Sequence, residues 1–181
     1  MKKINHTKYA ILGLLTTGCT TGYAIKQMID TSLNHFWKIS YGQIYPILNE
    51  LVTDKLATVV EIPQVGKPNK KEYQLTDKGK DALQAWLQDP LQQIPVEKNE
   101  LLLKLFFARH QDQSHTIQHL DNFYRQLSER LDTYHSIEQL IKEHSKAHPD
   151  SQFWLFTLDY GKRITKAAME WCEDTKKKLN N

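Results

Sequence analysis

Apolar residues recur at helical spacing along most of the chain and change period between residues 58 and 75. From Ser40 to Lys55, Ile44, Ile47, Leu48 and Leu51 fall on one stripe, while Tyr41, Gln43, Tyr45 and Asn49 point elsewhere. That spacing predicts a helix with one face to pack and another free to recognise a partner. Ser40 stands at the N-cap position with Gln43 three residues on, the pattern of a capping box. Pro46 lies more than one turn inside, where its missing N–H predicts a kink or a late start. Upstream, Thr7–Thr16 is a short apolar helix ended by Gly18, and Thr20 or Thr21 offers the next cap. Gly22–Leu33 then carries Ala24, Ile25, Met28, Ile29 and Leu33 at 3,4 spacing. Three short helices, the third with a polar face, outline a helix-turn-helix unit.

The period then shortens. Thr58–Pro63 is rich in β-branched residues, Gln64–Lys70 holds Gly66, Pro68 and Asn69 as turn residues, and Lys71–Leu75 alternates again. This predicts a β-hairpin with a basic tip. Thr76–Leu87 resumes helical spacing through Leu83, Trp86 and Leu87. Three helices, two strands and a helix make the order of a winged helix, with the hairpin as wing. Pro90 and Pro95 bracket a linker, placing a domain boundary between 1–90 and 91–181. Beyond it, Glu97–His110 is apolar on nearly all sides and is expected to be buried. Apolar positions 117, 120, 124, 127, 131, 134, 137 and 141 approach a heptad seam that Pro149 ends. Gln152–Leu179 predicts a second long amphipathic helix. Two such helices carry more apolar surface than a thin layer hides, which points to a partner subunit. The expected fold class is mainly α: an α+β winged helix-turn-helix followed by an all-α dimerisation module.

Composition narrows the picture only a little. Apolar content of 40% and charged content of 25% lie in the globular range. The early run Ala10–Leu15 is too short to cross a bilayer, so no membrane partner is expected and a cytoplasmic location is. Cys19 and Cys172 lie far apart without CxxC pairing, as reduced thiols would. The net charge of +3 sits entirely in residues 1–90, which hold 11 Lys against 8 Asp/Glu; residues 91–181 balance 13 against 13 and contain all four arginines. Any anion bound by the first half is therefore met by lysine.

The blocks YAILGLL at 9–15, TGYAIKQMI at 21–29, SYGQIYPILNELVTDKLA at 40–57 and GKPNKKEYQLTDKGKDAL at 66–83 resemble, in order and spacing, the PadR-type transcriptional regulators. ELLLKLFF at 100–107 and the two long helices after it resemble the longer, virulence-activator-like C-terminal module of that family. The resemblance implies a homodimer on pseudo-palindromic double-stranded operator DNA, in many members a repressor released by a small phenolic or drug-like aromatic effector. The wing departs from the family pattern, because it lacks arginine. Lysine neutralises phosphate as a point charge without a bidentate fork for guanine.

On this reading Ser40, Tyr41, Gln43 and Tyr45 meet base edges in the major groove, with Gln43 suited to adenine. Tyr41 and Tyr45 packing against the second helix is the plainer alternative. Lys67, Asn69, Lys70 and Lys71 on the wing meet phosphates. Phe106, Tyr124, Phe153, Trp154 and Tyr160, with Phe107 and Phe156 beside them, are candidates for an aromatic effector site, although aromatics at this spacing usually form core. The alternatives are a winged helix that binds only protein and, more remotely, a metal-dependent enzyme. His115 and His119 stand at i and i+4 without a third ligand, and no P-loop, GxGxxG or GxSxG is present. No catalytic residue, metal or cofactor is expected.

Overall fold

The computed structural model describes residues 5–66, 69–91, 93–94 and 96–180, and divides into two compact units, 1–94 and 95–181. In the first unit, α1 (His6–Thr16), α2 (Gly22–Thr31) and α3 (Tyr41–Thr53) precede the antiparallel hairpin of β1 (Ala57–Ile62) and β2 (Lys70–Leu75), and α4 (Asp77–Gln88) closes it. The winged order expected from the periodicity is the one observed. Gly18, at φ 86°, leads the chain out of α1, and the Thr21 hydroxyl caps α2 by accepting from the Ala24 N–H at 3.1 Å. Ile11, Leu12, Ile25, Ile29, Ile44, Leu48, Leu51 and Tyr73 form the centre of the core. The wing is tied to it through the backbone, since the Tyr73 N–H donates to the Thr20 carbonyl at 2.7 Å.

Helix α3 begins at Tyr41, directly after Ser40, and runs through Pro46 without interruption. The late start anticipated from the proline does not occur. Pro46 forgoes its bond to the Gly42 carbonyl, and burial of Ile44, Ile47, Leu48 and Leu51 holds the helix on both sides of that gap. Helix α4 starts against the wing: the Thr76 hydroxyl accepts from the Gly79 N–H at 3.1 Å and donates to the Lys55 carbonyl at 2.8 Å. A Cβ at Gly79 would lie 2.0 Å from the Leu56 carbonyl oxygen, so no other residue fits this contact without moving backbone.

The second unit consists of α5 (Glu100–Phe106), α6 (Gln113–His144) and α7 (Ser151–Asn180). Helix α6 ends five residues before Pro149, in a turn where the Ser145 N–H still reaches the Ile141 carbonyl. Its seam is packed within the same chain, with Leu120, Leu127 and Tyr134 buried and α7 running antiparallel alongside. Lys176–Asp121 near one end and Lys162–Glu138 near the other, each 2.6 Å, fix the register.

One expectation for this unit is overturned. The segment from Glu97 to His110 is not one buried helix: α5 has seven residues, a 3-10 turn follows at Ala108–His110, and only Leu101 is buried. Helix α5 packs against α6 through Leu101, and Leu102, Leu103, Phe106 and Phe107 stay exposed. Helix α7 is the second long amphipathic helix expected, with much of its apolar surface left open within the chain. Its buried line is Leu158, Thr165 and Cys172, spaced by seven, while Phe153, Phe156, Tyr160, Ile164 and Trp171 are exposed. The two helices approach closely at Gly161, where a Cβ would come within 3.1 Å of the Tyr134 ring.

Candidate nucleic-acid interface

The polar face of α3 is open. Ser40, Tyr41, Gln43, Tyr45 and Asn49 are all exposed, opposite the four buried apolar positions of the same helix. At its first turn the capping box forms, with the Ser40 N–H and the Ser40 hydroxyl both donating to Gln43 Oε1 at 3.1 Å. Gln43 Oε1 thereby uses both acceptor positions, and Nε2 is the half of the amide left to reach a base. Paired bonding to adenine requires Ser40 to release that oxygen.

Tyr41 packs toward α2, as the plainer alternative had it. Its hydroxyl donates to the Asp30 carboxylate, 2.6 and 2.5 Å from the two oxygens, and Lys26 Nζ lies 4.0 Å from the ring centroid. The bond to Asp30 raises the phenol above its ordinary pKa, so the hydroxyl remains a donor. Tyr45 also meets α2, at its first residue. Its ring lies over Gly22, where a Cβ would come within 2.6 Å of the ring, yet 55% of the residue is exposed.

A concave surface of about 660 Å³ runs between Thr21, Gly22 and Tyr23 at the start of α2, Tyr45, and Asn69, Lys70 and Lys71 on the wing. It joins the wing candidates to one residue of the helix. Ser40, Tyr41 and Gln43 do not line that concave surface. Lys67 falls outside the described residues.

The wing lysines are partly neutralised by carboxylates that sequence reasoning passed over. Lys71 pairs with Glu61 at 3.1 Å and Lys70 with Glu72 at 2.6 Å. The first pair raises the Lys71 ammonium and, with help from Asn69, holds the Glu61 carboxyl below its usual range. The register Glu61↔Lys71 is the signal that could have found it, because directly opposed residues on an antiparallel pair meet. Asp30 and Lys26, one helical turn apart on α2, carried no comparable signal, since their partner Tyr41 is met only when α2 and α3 pack.

The aromatic candidates of the second unit do not converge on one another. Trp154 stacks on His148 at 4.6 Å and Phe153 meets Phe156 edge-on at 6.2 Å, both at the start of α7. Tyr124 lies under Lys176 near the opposite end, about 33 Å along the helix at 1.5 Å per residue. Phe106 is 82% exposed against Phe107, and Tyr160 is 70% exposed. Among the described residues no group of three or more His, Cys, Asp or Glu side chains is placed to hold a metal ion, and no helix is long and apolar enough to cross a membrane.

Residues 11–85 match the family described as "Transcriptional regulator PadR-like family", and residues 97–180 match "Virulence activator alpha C-term". Over 103 residues the chain is 40% identical to the negative transcriptional regulator PadR of Bacillus subtilis (strain 168), a match spanning 55% of this chain and about half (55%) of that protein. The solved structure of Bacillus subtilis PadR in complex with operator DNA superposes with a TM-score of 0.85 at 30% identity, covering 97% of this chain and 99% of that one. Bacillus subtilis PadR in complex with p-coumaric acid superposes with a TM-score of 0.79 at 28% identity, covering 96% and 98%. With that likeness sustained from end to end of a solved relative, and a winged helix followed by long helices in both, the chain belongs to the PadR-like family of transcriptional regulators.

Proposed function

We infer that this regulator acts as a homodimer on a pseudo-palindromic duplex operator, as a repressor that a small aromatic effector releases. One observation carries the reading: α3 buries its entire apolar stripe and leaves Ser40, Tyr41, Gln43 and Tyr45 exposed beside a lysine-bearing wing. A helix of that kind enters a major groove with its first residues toward base edges, while wing lysines meet phosphates. The relative solved on operator DNA supports operator binding. Two such helices separated by roughly 34–36 Å read successive major grooves, which requires two copies of the chain. The outward aromatic line of α7 and the exposed side of α5 supply an apolar surface for that second copy.

The effector half of the reading is supported by the relative solved with p-coumaric acid. Phe106, Tyr124, Phe153, Trp154 and Tyr160 are its proposed residues. Because they lie toward different ends of the second unit, they define surfaces that another part of the assembly completes into a pocket. An effector releases DNA only if it prefers the arrangement that DNA does not.

The test is an electrophoretic shift with a salt series. Each neutralised phosphate steepens the fall of log affinity with log salt by about 0.9. Replacing Lys67 and Lys70 by glutamate is expected to lower affinity and flatten that slope by about two contacts' worth. An unchanged slope removes the wing from the interface, and absence of any preferred duplex removes the operator reading altogether.

A further inference from the structure

The first turn of α3 is held at its start by a contact that base reading does not require. Tyr41, the first residue of the helix, places its hydroxyl against both oxygens of Asp30 on α2, at 2.6 and 2.5 Å. Lys26, one turn earlier on α2, lies over the same ring at 4.0 Å. A phenol has one hydrogen to donate, and here the Asp30 carboxylate accepts that bond. Asp30 is exposed beside the first turn of α3, and an anion there works against DNA. Lys26 offsets that charge locally.

The geometry points to Asp30 as a positioning residue for DNA recognition: it clamps Tyr41 to α2 and so fixes the first turn of the reading helix, leaving base choice to Gln43 and Tyr45. The inference rests on the operator-binding reading above and refines it, since Tyr41 becomes an anchor rather than a reader. The far end of α3 already has its own tie, because Lys8 of α1 binds Glu50 at 3.0 Å and Asp54 at 2.5 Å. The near end follows residues 37–40, which have no regular secondary structure. Residues 41 and 54 lie about 20 Å apart along the helix. A pin at each end sets its tilt, and tilt decides whether side chains from residues 43 and 45 meet the same bases each time. Loosening the near pin therefore costs discrimination while phosphate contacts persist.

The experiment compares the full-length protein with Tyr41→Phe, Asp30→Ala, their double variant and Asp30→Asn. The DNA probes are a duplex selected from a random pool by the wild-type protein and an unselected duplex of equal length. Each single variant is expected to lower the ratio of selected to unselected affinity about tenfold, as for one hydrogen bond to a charged group, with the salt slope unchanged. The double variant is also expected to lose about tenfold rather than a hundredfold, because both changes remove one contact. Asp30→Asn, which keeps an acceptor oxygen, recovers most of the ratio. Losses that multiply, or an unaffected ratio in Asp30→Ala, overturn the clamp. A readout without DNA separates this from the operator reading: NMR titration of the Tyr41 phenol should show its midpoint falling toward the ordinary value in Asp30→Ala. An unmoved midpoint overturns the clamp even where the operator reading stands; a moved midpoint with no selectable duplex sinks the operator reading and the proposed role together.

Discussion

Helices α3 and α7 each bury one line of residues and expose another, but with opposite chemistry. In α3 the buried line is aliphatic and the exposed one carries Ser40, Gln43, Asn49 and two tyrosine hydroxyls. In α7 the buried line is Leu158, Thr165 and Cys172, and the exposed one is Phe153, Phe156, Tyr160, Ile164 and Trp171. Apolar surface left open in water is costly unless covered, whereas open polar surface is not. The exposed face of α3 therefore suits a hydrated, charged partner such as DNA, and that of α7 suits a second copy of the chain.

The comparison breaks most visibly at α7. Phe156 and Ile164 are 59% and 55% exposed in the single chain, so charging both leaves the α6–α7 seam intact. Burying each in a partner contributes about 1.5–3 kcal/mol. The double variant Phe156→Glu, Ile164→Glu is expected to sediment as a monomer at micromolar concentration with its helicity retained. Operator affinity should then fall by about a hundredfold or more, since one half-site is lost. A wild-type protein that is itself monomeric at that concentration ends the comparison.

The two faces of α3 can be separated by one substitution on each. Leu48 is fully buried, and Leu48→Ala is expected to cost about 2–5 kcal/mol of stability, read as a lower urea midpoint. Tyr45→Ala, at an exposed position, should change stability by no more than about 0.5 kcal/mol and yet weaken operator binding about tenfold. If Tyr45→Ala unfolds the protein as Leu48→Ala does, the exposed face is structural rather than recognising.

This contrast also shows what the sequence could and could not disclose. The stripe of Ile44, Ile47, Leu48 and Leu51 reads correctly because aliphatic residues at 3,4 spacing inside a winged unit have one core to enter. Hairpin, caps and helix order follow from local chemistry at Thr21, Ser40 and Thr76 in the same way. Helix α7 was legible as a long amphipathic helix, but periodicity does not say which of its apolar residues face α6, and the close approach at Gly161 exists only once the two helices pack. The α3 candidates were legible as exposed polar residues, but their commitments were not. Asp30 and Glu61 reach Tyr41 and Lys71 only through packing and register.

A smaller change tests whether the place of Tyr45 matters as well as its presence. A Cβ at Gly22 would meet the Tyr45 ring at 2.6 Å, and the ring, being the far end of an exposed side chain, is what yields. Gly22→Ala is expected to leave the thermal midpoint nearly unchanged and to weaken operator binding about fivefold, ~1 kcal/mol. An unaffected affinity would mean that Tyr45 tolerates displacement and does not contact a base edge.

The smallest expected effect concerns the inner seam of the second unit. Glu138 accepts from Lys162 of α7 at 2.6 Å and from Lys142 of its own helix at 2.9 Å, and these bonds, Lys162 first, lower its carboxyl to about 2. In the unfolded chain the group titrates near its ordinary value of about 4.3. A depressed folded value means that the unfolded state binds the proton more readily, so the stabilisation is complete above about pH 5 and is lost as pH falls through 4 toward 2. With solvent screening at this partly exposed pair, the contribution is about 1 kcal/mol. Glu138→Gln should remove that part of the acid dependence from the denaturation midpoint while leaving oligomeric state and operator affinity at neutral pH unchanged. If instead the substitution dissociates the proposed dimer, the ion pair belongs to the outer contact as much as to the inner one, and α7 does not have two independent faces.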